Sequence, residues 1–463
     1  MDALQQWIET AALQLRCRKA VPGVKSELES HLYEQYHAFL EQGCTAAEAQ
    51  CKTVESMGDP VLAGGALDRV HRPHPAWGPF CAAALLLFAS GLLRWWQSIP
   101  LSADGTLLFR ESSWQTLFAA ECSVLVLALI HFCMDLSLLT RWAWQLYIGL
   151  LAFSGYGLLF GNVLINGRRF FPLPVLGLYG ALDFALLFAP VYAAVVYRQR
   201  TRGWQGFCTC CIAIVPALVL CLYTPQLAAA LLLAAMGLVL GVFCCRGDWF
   251  CLGKRRGMCA LLLAVLGMLA CPLLVLVCSY GPALLDPLGR SLWAGDAGAD
   301  FWPNALRRMW EGMRWFSPGN GTLLLSEQTG LCMEDFVEHG AATLFADFLP
   351  TLLGWRFGAF WAFAAIAAVA GAVLWLWHTA ARIRSGAGRL CAVSVCTALS
   401  GSGILYLCGC FGWPLTAGIL PFFGSSVDLF IQAVVIGLLL SAFRLDDVLH
   451  EPTAAPRRAP DAA

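Results

Sequence analysis

From about residue 78 onward the chain alternates long apolar runs with short polar connections. The runs fall at about 78–96, 116–135, 143–163, 173–197, 207–223, 225–245, 258–280, 353–378, 388–412 and 425–443. Each is near the ~20 residues that an α-helix needs to cross a bilayer. The pattern predicts an all-α, polytopic membrane protein with about ten transmembrane helices in a domain over 76–445. Tyr223-Thr224-Pro225 separates the fifth run from the sixth, and the proline favours a tight hairpin over one very long helix.

Residues 1–75 carry a different pattern, that of a small soluble helical domain. Leu4, Ile8, Ala11 and Leu15 recur at helical spacing up to about Arg18. Pro22 suits the start of a second helix, on which Val24, Leu28, Leu32 and Tyr36 share one face, and Gly43 ends it. Thr45 with Glu48 three residues later predicts a capping box, and Gly58-Asp59-Pro60 stops the helix that follows. Nothing in this stretch points to chemistry.

Composition agrees with a lipid environment. The 463 residues are 59% hydrophobic and 13% charged, against about 25% charged in soluble domains. A net charge of zero gives no reason to expect nucleic acid as a partner. Trp contributes 18 residues, many beside the ends of apolar runs, as in an interfacial aromatic belt. Most of the 21 cysteines lie inside apolar runs without metal-ligand spacing and read as small hydrophobes.

Orientation follows from Lys and Arg. With the N-terminus inside, the cytoplasmic connections carry Arg141, Arg198, Arg200, Arg202, Arg246, Lys254, Arg255, Arg256, Arg382, Arg384 and Arg389, and the tail over 446–463 carries Arg457 and Arg458. The short outer connections carry only Arg110, Arg168 and Arg169. Both termini are therefore expected in the cytoplasm. One outer connection, about 281–352, is long; its apolar and aromatic content predicts a segment lying on the membrane surface or folded back onto the helices.

Two resemblances follow from particular residues. The stretch ELESHLYEQYHAFLEQGCTAAEAQCKTVESMGDP resembles a HAAS-like permease-prefix module, a short helical domain found before bacterial permeases and other membrane proteins. Further on, ADFLPTLLGWRFGAFWAFAAIAAVAGAVLWLWHTAARI, GRLCAVSVCTALSGSGILYLCGCFGWPLTAGILPFFGSS and LFIQAVVIGLLLSAFR are similar to the SEDS family of shape, elongation, division and sporulation proteins. Asn166-Gly167-Arg168-Arg169-Phe170 and Tyr223-Thr224-Pro225-Gln226-Leu227 resemble further family segments more loosely. The family has ten membrane helices and a long outer loop before the eighth.

The SEDS resemblance implies a peptidoglycan glycosyltransferase of the bacterial plasma membrane. Such proteins polymerise lipid II on the outer face, release undecaprenyl diphosphate, and work with a class B penicillin-binding protein. Ala346-Asp347-Phe348 matches the segment that carries the family's essential aspartate, so the resemblance implies Asp347 as the catalytic base. Without it, Asp347 also fits a helix-start carboxylate favoured by the macrodipole. Arg168 and Arg169 suit a diphosphate and fit interfacial snorkelling equally well. A divalent cation, Mg or Mn, could share the diphosphate. Gly424-Ser425-Ser426 matches a Gly-Gly-Ser-Ser segment; Ser425 and Ser426 read as helix packing or as a substrate contact.

The chain also departs from the family. Trp355-Arg356 replaces an acidic pair, Gly180 stands near a family glutamate, and Asp183 near a family lysine. A non-catalytic membrane scaffold or regulator is therefore an alternative, and a permease subunit, which the prefix resemblance favours, is a further one.

Overall fold

The computed structural model describes residues 2–18, 20–70, 75–98, 113–161, 163–165, 168–174, 176–224, 226–280, 301–319, 324–326, 331–332, 348–413 and 418–444. Asp347, most of the long 281–352 connection and the tail after 444 lie outside these residues.

The prefix is formed by α1 (Asp2–Leu13), α2 (Val21–Glu41), α3 (Ala46–Met57) and α4 (Pro60–Val70). Its core is Leu4, Trp7, Ile8, Ala11 and Leu15 against Val24, Leu28 and Leu32, the two helical stripes expected from the sequence. The capping box is present: Glu48 N–H donates to Thr45 Oγ1 at 3.4 Å and Thr45 N–H to Glu48 Oε2 at 3.0 Å. Such a cap is worth about 1 kcal/mol. The first helix ends at Leu13 rather than near Arg18, because Gln14 and Leu15 bond back to Ala11 and Ala12 in a closing turn. Gly58-Asp59-Pro60 does more than end α3. Asp59 Oδ1 accepts the Val61 N–H at 2.9 Å and opens α4. Trp7 Nε1 donates to Gly58 O at 2.9 Å, and Asp68 accepts the Arg16 N–H at 2.8 Å, so both ends of α4 are tied to the first helical segment.

The membrane domain continues with α5 (Trp77–Ser98), α6 (Ser113–Cys133), the short α7 (Leu136–Arg141), α8 (Ala143–Phe160), β1 (Val163–Ile165), β2 (Arg168–Leu173), β3 (Gly177–Tyr179), α9 (Ala181–Arg198), α10 (Gly203–Tyr223), α11 (Leu227–Arg246) and α12 (Lys254–Tyr280). It then has α13 (Phe301–Glu311), β4 (Leu324–Ser326), β5 (Leu331–Cys332), α14 (Leu349–Phe357), α15 (Ala359–Ala381), α16 (Gly386–Cys410) and α17 (Ser426–Arg444). Among the described residues 7 helices are long and apolar enough to cross a membrane, and shorter apolar stretches over Trp77–Leu93 and Leu117–Cys133 join them. The chain is a multi-pass, all-α membrane protein.

α9 and α17 are the most buried spans and, with α16, form the centre of the bundle. Alanines 185, 189, 193 and 194 let neighbours approach α9 closely. Hydrogen bonds between helices add to this packing: Ser394 Oγ donates to Ala189 O at 2.7 Å, Tyr192 Oη to Cys210 O at 3.0 Å, and Tyr147 Oη to Ala213 O at 2.8 Å. At one end of the bundle Arg444 reaches across from α17, donating to Phe132 O at 2.7 Å and lying 3.9 Å from Asp135.

Two expected helices differ from their apolar runs. The run from 173 does not start a helix; α9 begins at Ala181. Residues 163–179 form an antiparallel meander, β1-β2-β3, pairing Val163 with Phe170 and Phe171 with Tyr179. Gly177 at φ +103° makes the return between β2 and β3, a conformation that a helix cannot contain. The run from 353 is likewise divided. Gly358 (φ +113°) separates α14 from α15, and a Cβ there would lie 2.5 Å from Trp315 O. The segment after α13 crosses at this point. Ala359 N–H donates to Arg314 O at 2.8 Å, and Gly319 N–H to Trp355 O at 2.8 Å. Trp310 of α13 donates to Cys410 O at 2.8 Å and packs on Phe411. The described part of the long connection therefore folds back onto the helices.

Candidate functional site

The meander, the start of α9, the α10–α11 turn, the start of α14 and the start of α17 all lie at one end of the bundle.

Two carboxylates meet here. Asp183 is the third residue of α9, and its Oδ2 accepts the N–H of Gly180, the cap residue, at 2.8 Å. Asp428 is the third residue of α17, and its Oδ2 accepts the N–H of Ser425 at 2.6 Å. Ser425 Oγ returns the contact by accepting the Asp428 N–H at 3.3 Å, a Ser-x-x-Asp capping box. Each acid thus spends one oxygen on its own helix start. Asp428 is the acidic neighbour of Asp183. Asp183 is 4% exposed, and its Oδ1 has no hydrogen-bond donor. Gln226 lies beside Gly180, 4% exposed with its Nε2 unpartnered. That amide is 3.7 Å from where a Cβ on Gly180 would sit.

The Leu-Pro-Phe-Phe-Gly turn that precedes α17 is held from below by Gln432. Its Oε1 accepts the Phe422 N–H, and its Nε2 donates to Phe423 O at 3.0 Å. Phe422 (φ +66°) and Gly424 (φ +151°) give the turn its sharpness. Nearby, Leu349 N–H donates to Tyr406 Oη at 2.8 Å and fixes the entry to α14. Ser154 and Tyr179 share a buried hydrogen bond of 2.7 Å beneath the meander.

The residues expected from the sequence divide as follows. Asp347 lies outside the described residues, immediately before Phe348, which packs against the core, and Leu349, which Tyr406 holds. Arg168 pairs with Ile165 in the meander, and its side chain also lies outside the described residues. Arg169 is half-buried; its Nη1 donates to Leu159 O at 2.6 Å and its guanidinium lies 5.8 Å from the centre of the Tyr223 ring. Ser425 is part of the carboxylate cluster, and Ser426 is fully buried at the first turn of α17. Asp428, Gln226 and Gln432 carried no expected role, and Asp183 entered only as a departure. Gly-x-x-Asp and Ser-x-x-Asp ahead of apolar runs were the available signals, and they report caps rather than a meeting of caps. Among the described residues no three His, Cys, Asp or Glu side chains gather as metal ligands, and the cysteines whose side chains are described are free thiols.

No family model and no curated protein sequence matches the chain. Solved structures do. A chain from work on the structural coordination of polymerization and crosslinking by a peptidoglycan synthase complex superposes with a TM-score of 0.59 and 19% identity, over 80% of this chain and 98% of that one. This chain has the fold of that peptidoglycan synthase chain. Two crystal structures of the Thermus thermophilus rod shape determining protein RodA, one of them a point mutant, superpose over 80% of this chain with TM-scores of 0.49 and identities of 18% and 17%. They cover 97% and 98% of those chains.

Proposed function

We propose that the protein is a SEDS-type peptidoglycan glycosyltransferase of the bacterial plasma membrane, with both termini in the cytoplasm. The observation that carries the reading is the fold shared with nearly the whole of a peptidoglycan synthase chain. The order of the SEDS-like segments along the sequence supports it.

In this reading Asp347 takes the proton from the acceptor sugar hydroxyl of lipid II. The new glycosidic C–O bond forms as the anomeric C–O bond to phosphate breaks, and undecaprenyl diphosphate leaves. A carboxylate at a membrane boundary suits the base, because partial desolvation raises its proton affinity. Arg168 supplies positive charge for the diphosphate, and a class B penicillin-binding protein receives the strand for cross-linking. Purified protein with such a partner is expected to convert labelled lipid II to glycan strands. Asp347→Ala is expected to lose ~100-fold or more of that rate, the usual scale for a general base. A folded Asp347→Ala protein that remains fully active overturns the mechanism.

One observation favours a second reading, a non-catalytic scaffold. Trp355, at a position where the family carries an acid, is a buried packing residue: a Cβ on Gly319 would meet its ring at 2.6 Å. Capture of the penicillin-binding partner with no polymerisation from lipid II selects this reading.

A further inference from the structure

Where the segment after α13 crosses between α14 and α15, large aromatic side chains gather at the surface. Trp315 is 64% exposed and Phe316 77% exposed, and Phe357, Phe360, Trp361 and Phe363 beside them are exposed as well. They form one patch because the main chain joins the two segments. Ala359 N–H donates to Arg314 O at 2.8 Å, and Phe360 N–H to Trp315 O at 3.1 Å. The Phe316 ring then lies 5.4 Å from that of Phe360, and the Trp315 ring 6.2 Å from that of Phe363. A contiguous exposed apolar patch marks a surface that something covers.

The span itself sets the depth of the patch. α15 covers 23 residues, about 34 Å of helix, against about 30 Å of hydrocarbon core. Its first turns, with Phe360 and Phe363, therefore lie at the edge of the hydrocarbon, and so do the Trp315 and Phe316 rings that rest on them. Tryptophan suits that depth, with an apolar ring and a polar N–H. A second helix suits it poorly, because close helix contacts in membranes favour Gly, Ala and Ser. Charge points the same way. Among the described residues, α13, α14 and the segment between them carry Arg307, Arg308, Arg314 and Arg356 against one acid, Glu311. Arg314 and Arg356 are exposed and flank the crossing: Arg314 precedes Trp315, and Arg356 stands two residues before Gly358, on which Trp315 O closes.

We propose that this patch is a docking surface for an anionic phospholipid. Trp315 and Phe316 insert at the headgroup boundary beside α15, and Arg314 and Arg356 hold the headgroup phosphate. Guanidinium groups offer phosphate oxygens paired N–H donors. Their aliphatic stems lie along apolar surface while the charge stays in the headgroup layer. The lipid thereby anchors the part of the long connection that packs on α14. The inference needs only that α15 spans the membrane, and it holds whether or not the chain is a glycosyltransferase.

The test has two arms, both on the full chain. In nanodiscs, with fluorotryptophan in place of tryptophan, the fluorine resonance missing from Trp315→Phe identifies Trp315. It is expected to broaden with phosphatidylcholine spin-labelled near the headgroup and to stay sharp with a water-soluble gadolinium chelate. The reverse pattern overturns the insertion. In detergent, phosphatidylglycerol is titrated against phosphatidylcholine by native mass spectrometry, and a preference for phosphatidylglycerol is expected. Arg314→Gln and Arg356→Gln together are expected to weaken it about 30-fold, from roughly 1 kcal/mol for each basic residue at an anionic surface. Loss of the preference in a variant that keeps the wild-type unfolding midpoint in pure detergent supports the site. No preference in the wild type overturns it whether or not the variant folds, and an undiminished preference in the double variant overturns it as well.

Discussion

Tyr406 of α16 holds the main chain of Leu349 through a 2.8 Å hydrogen bond from the Leu349 amide to the phenolic oxygen. Leu349 is 6% exposed and opens α14, so no water replaces the tyrosine if it is lost. Tyr406→Phe leaves a buried N–H unpaired, at a cost of about 1–3 kcal/mol. A lower unfolding midpoint in detergent is expected. Because Asp347 lies two residues earlier in the chain, a fall in glycan synthesis is expected beside it. An unchanged midpoint shows that the bond contributes nothing to the folded state.

Gly424 precedes the capping serine of α17 in a backbone conformation (φ +151°) that L side chains rarely adopt. A Cβ there would lie 2.4 Å from Asp428 Cβ and 2.6 Å from Asp428 Oδ2. Gly424→Ala therefore strains the turn and displaces the Asp428 side chain. A loss of about 1–3 kcal/mol is expected from the backbone alone, measurable by denaturant unfolding. Full retention of stability means that the turn relaxes without cost.

Gln432 serves the same turn from one helical turn deeper. Gln432→Leu has similar volume but leaves the Phe422 N–H and the Phe423 carbonyl without their partner. The cost is about 1–3 kcal/mol for each group left unpaired. Gln432→Glu keeps an acceptor for Phe422 and loses only the donor, so it is expected to fall between wild type and Gln432→Leu. Thermal unfolding of the three proteins checks the order.

Much of this architecture is legible in the sequence because lipid imposes a simple code. Runs at 143–163, 207–223, 225–245, 388–412 and 425–443 become α8, α10, α11, α16 and α17 with ends displaced by a few residues. Apolar length alone fixes such helices. The code fails where apolar residues do something else. FFPLPVLGLY is as greasy as the helix after it, yet prolines and Gly177 turn it into strands. Gly358 divides an apolar run because another segment of main chain crosses there. The carboxylate pair fails for a different reason. Asp183 and Asp428 each complete a local capping pattern, and the sequence does not say that two helix starts meet.

Glu48 gives the prefix a predictable acid response. Its hydrogen bonds from the Thr45 backbone and hydroxyl hold its carboxyl below the ordinary glutamate value, with Lys52 adding a smaller effect in the same direction. A depressed folded value means that the contribution is present above the unfolded value and is lost as pH falls through the folded one. Hydrogen exchange of the full chain is expected to show the first turn of α3 losing protection as the pH falls below the ordinary glutamate value. Thr45→Ala removes the cap, so its first turn is expected to be weakly protected already at pH 7. Equal protection at both pH values shows that Glu48 does not hold the helix start.

Arg169 decides between two uses of a guanidinium. Its bond to Leu159 O at 2.6 Å and its place near the Tyr223 ring tie β2 to α8 and α10. A charged hydrogen bond of this kind contributes about 1.5–3 kcal/mol. Lysine keeps the charge but not the planar fork that reaches a carbonyl while lying against a ring. Arg169→Lys is therefore expected to lower the unfolding midpoint with little change in lipid II affinity among the molecules that remain folded. Arg168→Ala is expected to show the opposite pattern, with normal stability and weaker lipid II binding. If Arg169→Lys instead unfolds like wild type and binds lipid II poorly, the guanidinium faces the substrate, and the carbonyl contact is secondary to that role.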